Sequence, residues 1–290
     1  MPRSSTRAYL AWLIVCLVWG TTYLAIRVAI ETIPPFLMAG ARWVAAGLLL
    51  LGFLAFRGHK TPPPATWPFH AVLGILMVGL GNGAVVWAEQ TVPTGLAAIL
   101  IALTPFWMLG IERLVSRAEP LGARRITGLI AGFCGVVLLV WPEVRTRTGM
   151  GFLWGVVATQ VAAFGWSLGS NLSRRRPSQS HVLAASSLQM VFGGLFLLGL
   201  AAVTGENWLP AVSARSLIAT LYLLFAGSIV AYSAYAYALR HLPLTTVSMY
   251  AYVNPVIAVA LGTLVLHEPM TWRLVLASAM VLGSVLTVRK

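Results

Sequence analysis

Few residues in this chain could do chemistry in a hydrophobic setting, and their scarcity is informative. The acidic residues number seven, every one a glutamate, against twenty Lys and Arg in 290 residues. With no aspartate anywhere, chemistry built on aspartate pairs is excluded, including Asp-rich magnesium sites for diphosphates. His267-Glu268 is followed by Pro269, so the His-Glu-x-x-His spacing of a zinc protease is absent. His59, His70, His181, His241 and His267 all fall at or near the ends of apolar runs, too far out for a Ser–His dyad at membrane depth. Cys16 and Cys134 each lie inside an apolar run without His or acidic neighbours, and read as small buried hydrophobes rather than metal ligands. The sequence predicts no catalytic residue, no metal and no cofactor, and so no enzyme.

What remains within the apolar runs is two charges, a few amides and many aromatic rings. Charges at membrane depth mark function unless they snorkel or pair with each other. Glu89 is the candidate proton carrier, and Arg42 the candidate anchor for a substrate carboxylate. Asn82 shares a helical face with Gly79, Gly83 and Val86, which suits close helix packing or a cavity wall. Trp19 and Tyr23 stand four apart, as do Tyr250 and Asn254, while Tyr232 and Tyr235 stand three apart. Trp107, Gln160 and Trp166 complete the mid-run set. These rings lie too deep for the interfacial belt, to which Trp67, Trp141, Trp154, Trp208 and Trp272 are assigned. Aromatic rings and amides around a partly wet cavity suit amphipathic organic substrates with apolar bodies. No midplane carboxylate is present to hold a permanent cation.

The elements that must position these groups follow from composition. Apolar residues make up 59% of the chain and charged residues 9%, where a soluble domain carries about 25% charge; the mean hydropathy is +0.84. The net charge of +13 does not point to nucleic acid, because the basic residues punctuate long apolar runs instead of clustering on one face. Cutting at charges and prolines gives ten segments of membrane-spanning length: 8–28, 36–56, 69–91, 95–114, 122–141, 150–172, 181–203, 214–239, 243–266 and 272–288. Alternating the loops puts fourteen Lys and Arg on the side of the N-terminus and five on the other (Arg27, Arg145, Arg147, Arg215, Arg273). That asymmetry predicts both termini in the cytoplasm.

The chain also resembles itself. Pro93 and Pro105 recur as Pro243 and Pro255 at an offset of 150, and Ala88 recurs as Ala238. Trp19 recurs as Trp166 at an offset of 147, with Arg42 opposite Gln189. Glu119-Pro120 recurs as Glu268-Pro269. The halves, 1–145 and 146–290, hold five segments each. Five is odd, so the second copy enters the membrane from the opposite side, a recurring plan of secondary transporters. Pro105 and Pro255, paired across the halves, predict interrupted helices beside a central site.

These pieces together resemble a known family. Leu17-Val18-Trp19-Gly20, Pro34-Pro35 followed by Ala41-Arg42, Pro105, Glu119-Pro120, Pro255 and Glu268-Pro269 occur in the order and spacing of the drug/metabolite transporter superfamily, specifically its ten-helix EamA-type exporters. The resemblance implies an all-α integral membrane carrier of ten transmembrane helices in two inverted repeats. It implies export of small metabolites across a bacterial inner membrane, amino acids foremost. The aromatic set is similar to that of exporters of aromatic and other neutral amino acids. The partners so implied are a small-molecule substrate and the lipid bilayer; the sequence leaves the oligomeric state open, a monomer included.

Overall fold

The computed structural model describes residues 6–116, 127, 134, 150–176, 180–273, 275, 276, 279, 280 and 283. Within them eight helices are long and apolar enough to cross a bilayer: α1 (Thr6–Ala29), α2 (Pro35–Phe56), α3 (Pro64–Ala88), α4 (Thr94–Leu114), α5 (Met150–Arg175), α6 (Val182–Val203), α7 (Ala214–His241) and α8 (Thr246–Leu266). They correspond to expected segments one to four and six to nine. The expected segments 122–141 and 272–288, with Glu119, Pro120 and Trp141, lie mostly outside the described residues. No strand occurs among the described residues.

The helices turn small residues inward and large apolar ones outward. On α1, Leu10, Leu13 and Leu17 are exposed while Ala11, Val15, Cys16 and Tyr23 are buried. Leu48, Leu49 and Phe53 on α2, and Leu217, Ile218 and Phe225 on α7, are likewise exposed. In water such a surface would drive association; against lipid it is the solvated face, and small residues mediate helix contact. The α2–α6 pair shows this directly. Gly40 lies against Leu198, Gly47 against Ser187 and Val191, and Gly194 against Val44. These pairings make α2 and α6 antiparallel, and the two helices are repeat-mates in the sequence. Inversion of the halves is thus visible at their contact.

Four helices depart from regular α geometry. α3 contains a π-helical stretch at Ile75–Leu80 and α7 one at Leu223–Val230. Both fall at matching positions of the repeat, and π turns concentrate at functional sites. α4 breaks at 102–103, between Thr94–Ile101 and Thr104–Ser116. Pro105 follows that break, at a helix start where a missing N–H is tolerated, and the Thr104 hydroxyl donates to the carbonyl of Ile101 at 2.6 Å. The expectation for Pro255 is corrected. It lies inside the continuous helix Tyr250–Leu266, and the interruption of α8 falls earlier, at Met249. Beside it, the Asn254 amide nitrogen faces the carbonyls of Tyr250 and Cys16, at 3.1 and 3.0 Å, which links α8 to α1.

One face of the bundle is cross-linked. This far face carries the C-terminus of α1; the near face carries its N-terminus. The first residues of α2 and α4 follow prolines, Pro34 and Pro93, with no side-chain cap of their own. Carboxylates from distant loops supply one. Glu206 accepts from the amides of Phe36 and Leu37 at 3.0 and 2.7 Å, and Glu268 from those of Thr94 and Gly95 at 2.8 and 3.2 Å. A helix N-terminus, with unpaired N–H groups and partial positive charge, is a natural seat for an anion. Arg27 donates to the carbonyls of Glu89 and Gln90, and Arg215 pairs with Glu31 at 3.6 Å. All these contacts tie helix ends and loops together on the far face.

Candidate substrate cavity

A central cavity of about 70 Å³ lies between α1, α2, α3, α4, α5, α7 and α8. At about 10–15 Å³ for each water centre, it has room for roughly five waters. Of the residues expected to line it, Trp19, Tyr23, Asn82, Trp166, Tyr250 and Asn254 do so, together with Arg42. Thr22, Trp43, Gly81 and Thr104 also line it. Gly81 has a steric reason to be glycine: a Cβ there would stand 2.9 Å from the Trp166 ring and collide with the Met77 carbonyl.

A second cavity, of about 280 Å³, opens toward the near face, lined by His70, Gln189, Tyr232, Tyr235, Arg174, Arg176 and Arg240 among others. Tyr232 and Tyr235, expected in the central cavity, belong to this one, and both are fully buried. An aromatic partition separates the two spaces. Trp19 meets Trp166 edge-on with ring centroids 5.1 Å apart, and Trp166 and Tyr235 lie at 4.9 Å. Tyr250 packs against Trp19 at 5.1 Å and Tyr235 at 5.7 Å. Within it, Trp166 Nε1 donates to the Tyr235 hydroxyl at 3.0 Å, which shares a 2.8 Å bond with Ser170. Trp19 Nε1 donates to the Gly227 carbonyl at 3.1 Å, within the π stretch of α7.

Trp107 and Gln160 are not in either cavity. Trp107 Nε1 donates to the Gln160 side-chain oxygen at 3.3 Å, and Gln160 Nε2 to the Leu100 carbonyl at 3.3 Å. They meet at the outer edge of the α4–α5 contact, where Trp107 is 38% exposed. Each polar group finds its partner in the other helix, which explains their depth without a ligand.

Arg42 and Glu89 do not pair with each other. Arg42 is 2% exposed. Its Nη2 donates to Asn82 Oδ1 at 2.5 Å and its Nη1 to Ser228 Oγ at 3.2 Å and the Leu223 carbonyl at 3.5 Å. Trp43 Nε1 reaches the same Asn82 oxygen at 2.8 Å. All these partners are neutral, and the buried Arg42 Nε has none. Glu89 is fully buried at the end of α3, and neither carboxyl oxygen has a hydrogen-bond partner. Arg27 bonds its backbone carbonyl rather than its side chain.

The repeat extends into these contacts. Gln189 and Tyr232 stand at the repeat-mate positions of Arg42 and Asn82. As Arg42 bonds Asn82 in one cavity, Tyr232 donates to Gln189 Oε1 at 2.8 Å in the other. Sequence spacing alone does not reveal Trp43, Ser170 and Ser228. For Ser170 a signal existed, since it follows Trp166 by four residues on one helical face.

A membrane-spanning helical chain whose antiparallel repeat-mate helices flank a polar-lined cavity, cross-linked on one face, has the architecture of a secondary transporter. The comparisons specify which. The chain matches the EamA-like transporter family twice, over residues 6–141 and 153–289, and belongs to that family. It is similar to the uncharacterized inner membrane transporter YedA of Escherichia coli, with 36% identity over 253 residues, 85% of this chain and 79% of YedA. It is similar also to the uncharacterized transporter YvbV of Bacillus subtilis, at 27% identity over 98% of this chain and 92% of that one. Protein PecM of Dickeya dadantii is 28% identical over 87% of this chain and 82% of its own. A solved crystal structure shares the fold over 97% of this chain and 96% of its own, with a TM-score of 0.70 and 19% identity. The protein is a membrane transporter.

Proposed function

We propose that this transporter sits in a bacterial inner membrane and exports small metabolites, foremost aromatic and other neutral amino acids, by alternating access around the central cavity. Export of other small organic metabolites or drugs is the second reading. The observation that carries the first is the cavity wall itself, in which three large aromatic rings (Trp19, Trp166, Tyr250) share the lining with Arg42, Asn82 and Asn254. Such a wall suits an amphipathic molecule with one apolar end. The relative named an inner membrane transporter supports the location, and the arginine surplus on the near side supports cytoplasmic termini. In this reading residues 1–145 and 146–290 are the two five-helix units, and one chain in the bilayer is sufficient.

Glu89 takes the coupling role. Ionising an enclosed carboxyl with no hydrogen-bond partner is costly, so a proton taken up or given up there is strongly tied to the closure of the far face around it. The test is flux of labelled amino acids in proteoliposomes, across a panel, with and without a pH gradient. Saturable flux of aromatic and neutral members is expected; its absence for every amino acid overturns the substrate reading.

A further inference from the structure

Among the described residues, none that lines either cavity is acidic. The charges that do line them are all positive: Arg42 in the centre, and Arg174, Arg176 and Arg240 in the larger near-side space. An amino acid brings two charges to such a site, and only its carboxylate has a charged partner. Arg42 is poised for it. A guanidinium has five N–H donors, and three hydrogen bonds to neutral acceptors account for those assigned. Two N–H groups are left over, one on Nη2 and the one on Nε, which is buried and without an acceptor. A buried cation held by neutral dipoles alone carries a desolvation penalty that a bound anion relieves, and the planar fork of arginine matches a carboxylate. The aromatic walls stand beside it: Trp43 lies under the guanidinium at 4.8 Å, and Trp19, Trp166 and Tyr250 line the same space.

We propose that the carboxylate is the group this cavity selects, laid on Arg42, and that the amino group is dispensable, so that deaminated aromatic acids are cargo alongside aromatic amino acids. The proposal rests on reading the central cavity as the substrate site. The near-side space supports it independently, because a route lined by one sign of charge concentrates anions and repels amines. His70 in that space is 2% exposed with an unpartnered Nδ1, a further polar group with no acid opposite it.

The experiment is competition in proteoliposomes holding the full chain, with labelled phenylalanine and labelled 3-phenylpropionate as separate reporters. Unlabelled 3-phenylpropionate and 3-indolepropionate are expected to inhibit both fluxes; phenethylamine and tryptamine are expected to leave both unchanged. Amines that compete as well as the acids overturn the proposal while leaving the transporter reading intact; no saturable flux of either reporter overturns both. The wild-type panel needs no variant, so it decides even where substitution at Arg42 prevents folding. Where the variants fold, Arg42→Gln is expected to raise KM for both reporters about 10- to 100-fold, as loss of one charge-assisted contact implies, with Arg42→Lys in between. An Arg42→Gln protein with wild-type KM for 3-phenylpropionate refutes the assignment.

Discussion

Glu268→Ala tests whether the far-face contacts set the conformational equilibrium. In the wild type the Glu268 carboxylate caps α4 through the amides of Thr94 and Gly95, at 2.8 and 3.2 Å. Pro93 offers no side-chain cap to replace it. Removing a helix cap is worth about 0.5–2 kcal/mol, and hydrogen bonds to a charged group about 1.5–3 kcal/mol each. Glu268 is half-buried, so water recovers part of this, and about 1–2 kcal/mol is the reasonable sum. A state in which the far face opens separates α4 from the loop after α8 and lacks these bonds. The alanine variant is therefore expected to populate it about 5- to 30-fold more. The readout is the modification rate of a cysteine placed at Thr22, which lines the central cavity, in a background with Cys16 and Cys134 replaced by serine. A membrane-impermeant thiol reagent added to right-side-out vesicles should react about 5- to 30-fold faster in Glu268→Ala, and by a smaller factor in Glu268→Gln, which keeps one acceptor oxygen. A change of less than about two-fold in the alanine variant would show that the cap does not hold the gate. Acceleration seen only in inside-out vesicles would reverse the assigned orientation.

Three more outcomes follow from the packing and the cavity. Gly194→Ala puts a Cβ 2.7 Å from the backbone nitrogen of Val44, whereas Gly199→Ala on the same helix meets nothing within 4 Å. The first should lower the detergent melting temperature by several degrees, as overpacking of about 1–3 kcal/mol requires, and the second should leave it unchanged or raise it slightly. Glu89→Gln should abolish the acceleration of flux by a pH gradient while retaining exchange between equal pH values, measured in the same proteoliposomes; a surviving gradient response removes Glu89 from coupling. Trp19→Ala deletes a ring of the cavity wall and should weaken binding of aromatic cargo about 2- to 13-fold, since one aromatic pair contributes about 0.5–1.5 kcal/mol; unchanged KM would dissociate the partition from recognition.

The bilayer explains why so much of the fold is legible in the chain and why the azimuth of each helix is not. Backbone groups in lipid must bond internally, so apolar runs of membrane length become helices, and α1 to α4 and α5 to α8 lie where the runs lie. Depth along a run then places Trp19, Asn82, Trp166 and Tyr250 near the centre. Which way a side chain points is another matter. In a soluble helix the polar face orients the rest; here lipid and protein faces are both apolar, and Trp107 and Gln160 look no different in sequence from Trp166. Partners settle their direction, and those partners come from other helices. The same holds for Glu206 and Glu268, whose contacts on α2 and α4 join residues far apart in the chain. Proline is ambiguous for a related reason: Pro105 stands at the start of the helix after a break, whereas Pro255 lies inside a continuous one.

The two cavities give the repeat a mechanistic meaning. In the proposed cycle the halves exchange conformations, so each contact in one half has a counterpart that forms or breaks in the other. Arg42–Asn82 and Gln189–Tyr232 occupy matching positions, as do the π stretches of α3 and α7, and in the present state both members of each pair are formed. Trp19 and Trp166, also repeat-mates, meet each other at the partition. The chemistry within this frame is unequal: one half contributes a guanidinium, the other a neutral amide. In the present state the far face is cross-linked and the roomier space, about 280 Å³, is on the near side. A carboxylate arriving from the near side passes Gln189 and Tyr232, neutral groups already bonded to each other, before it reaches Arg42. Shape can be symmetric between the two access states while binding energy is concentrated at one position, and that position lies on the side toward which export must open.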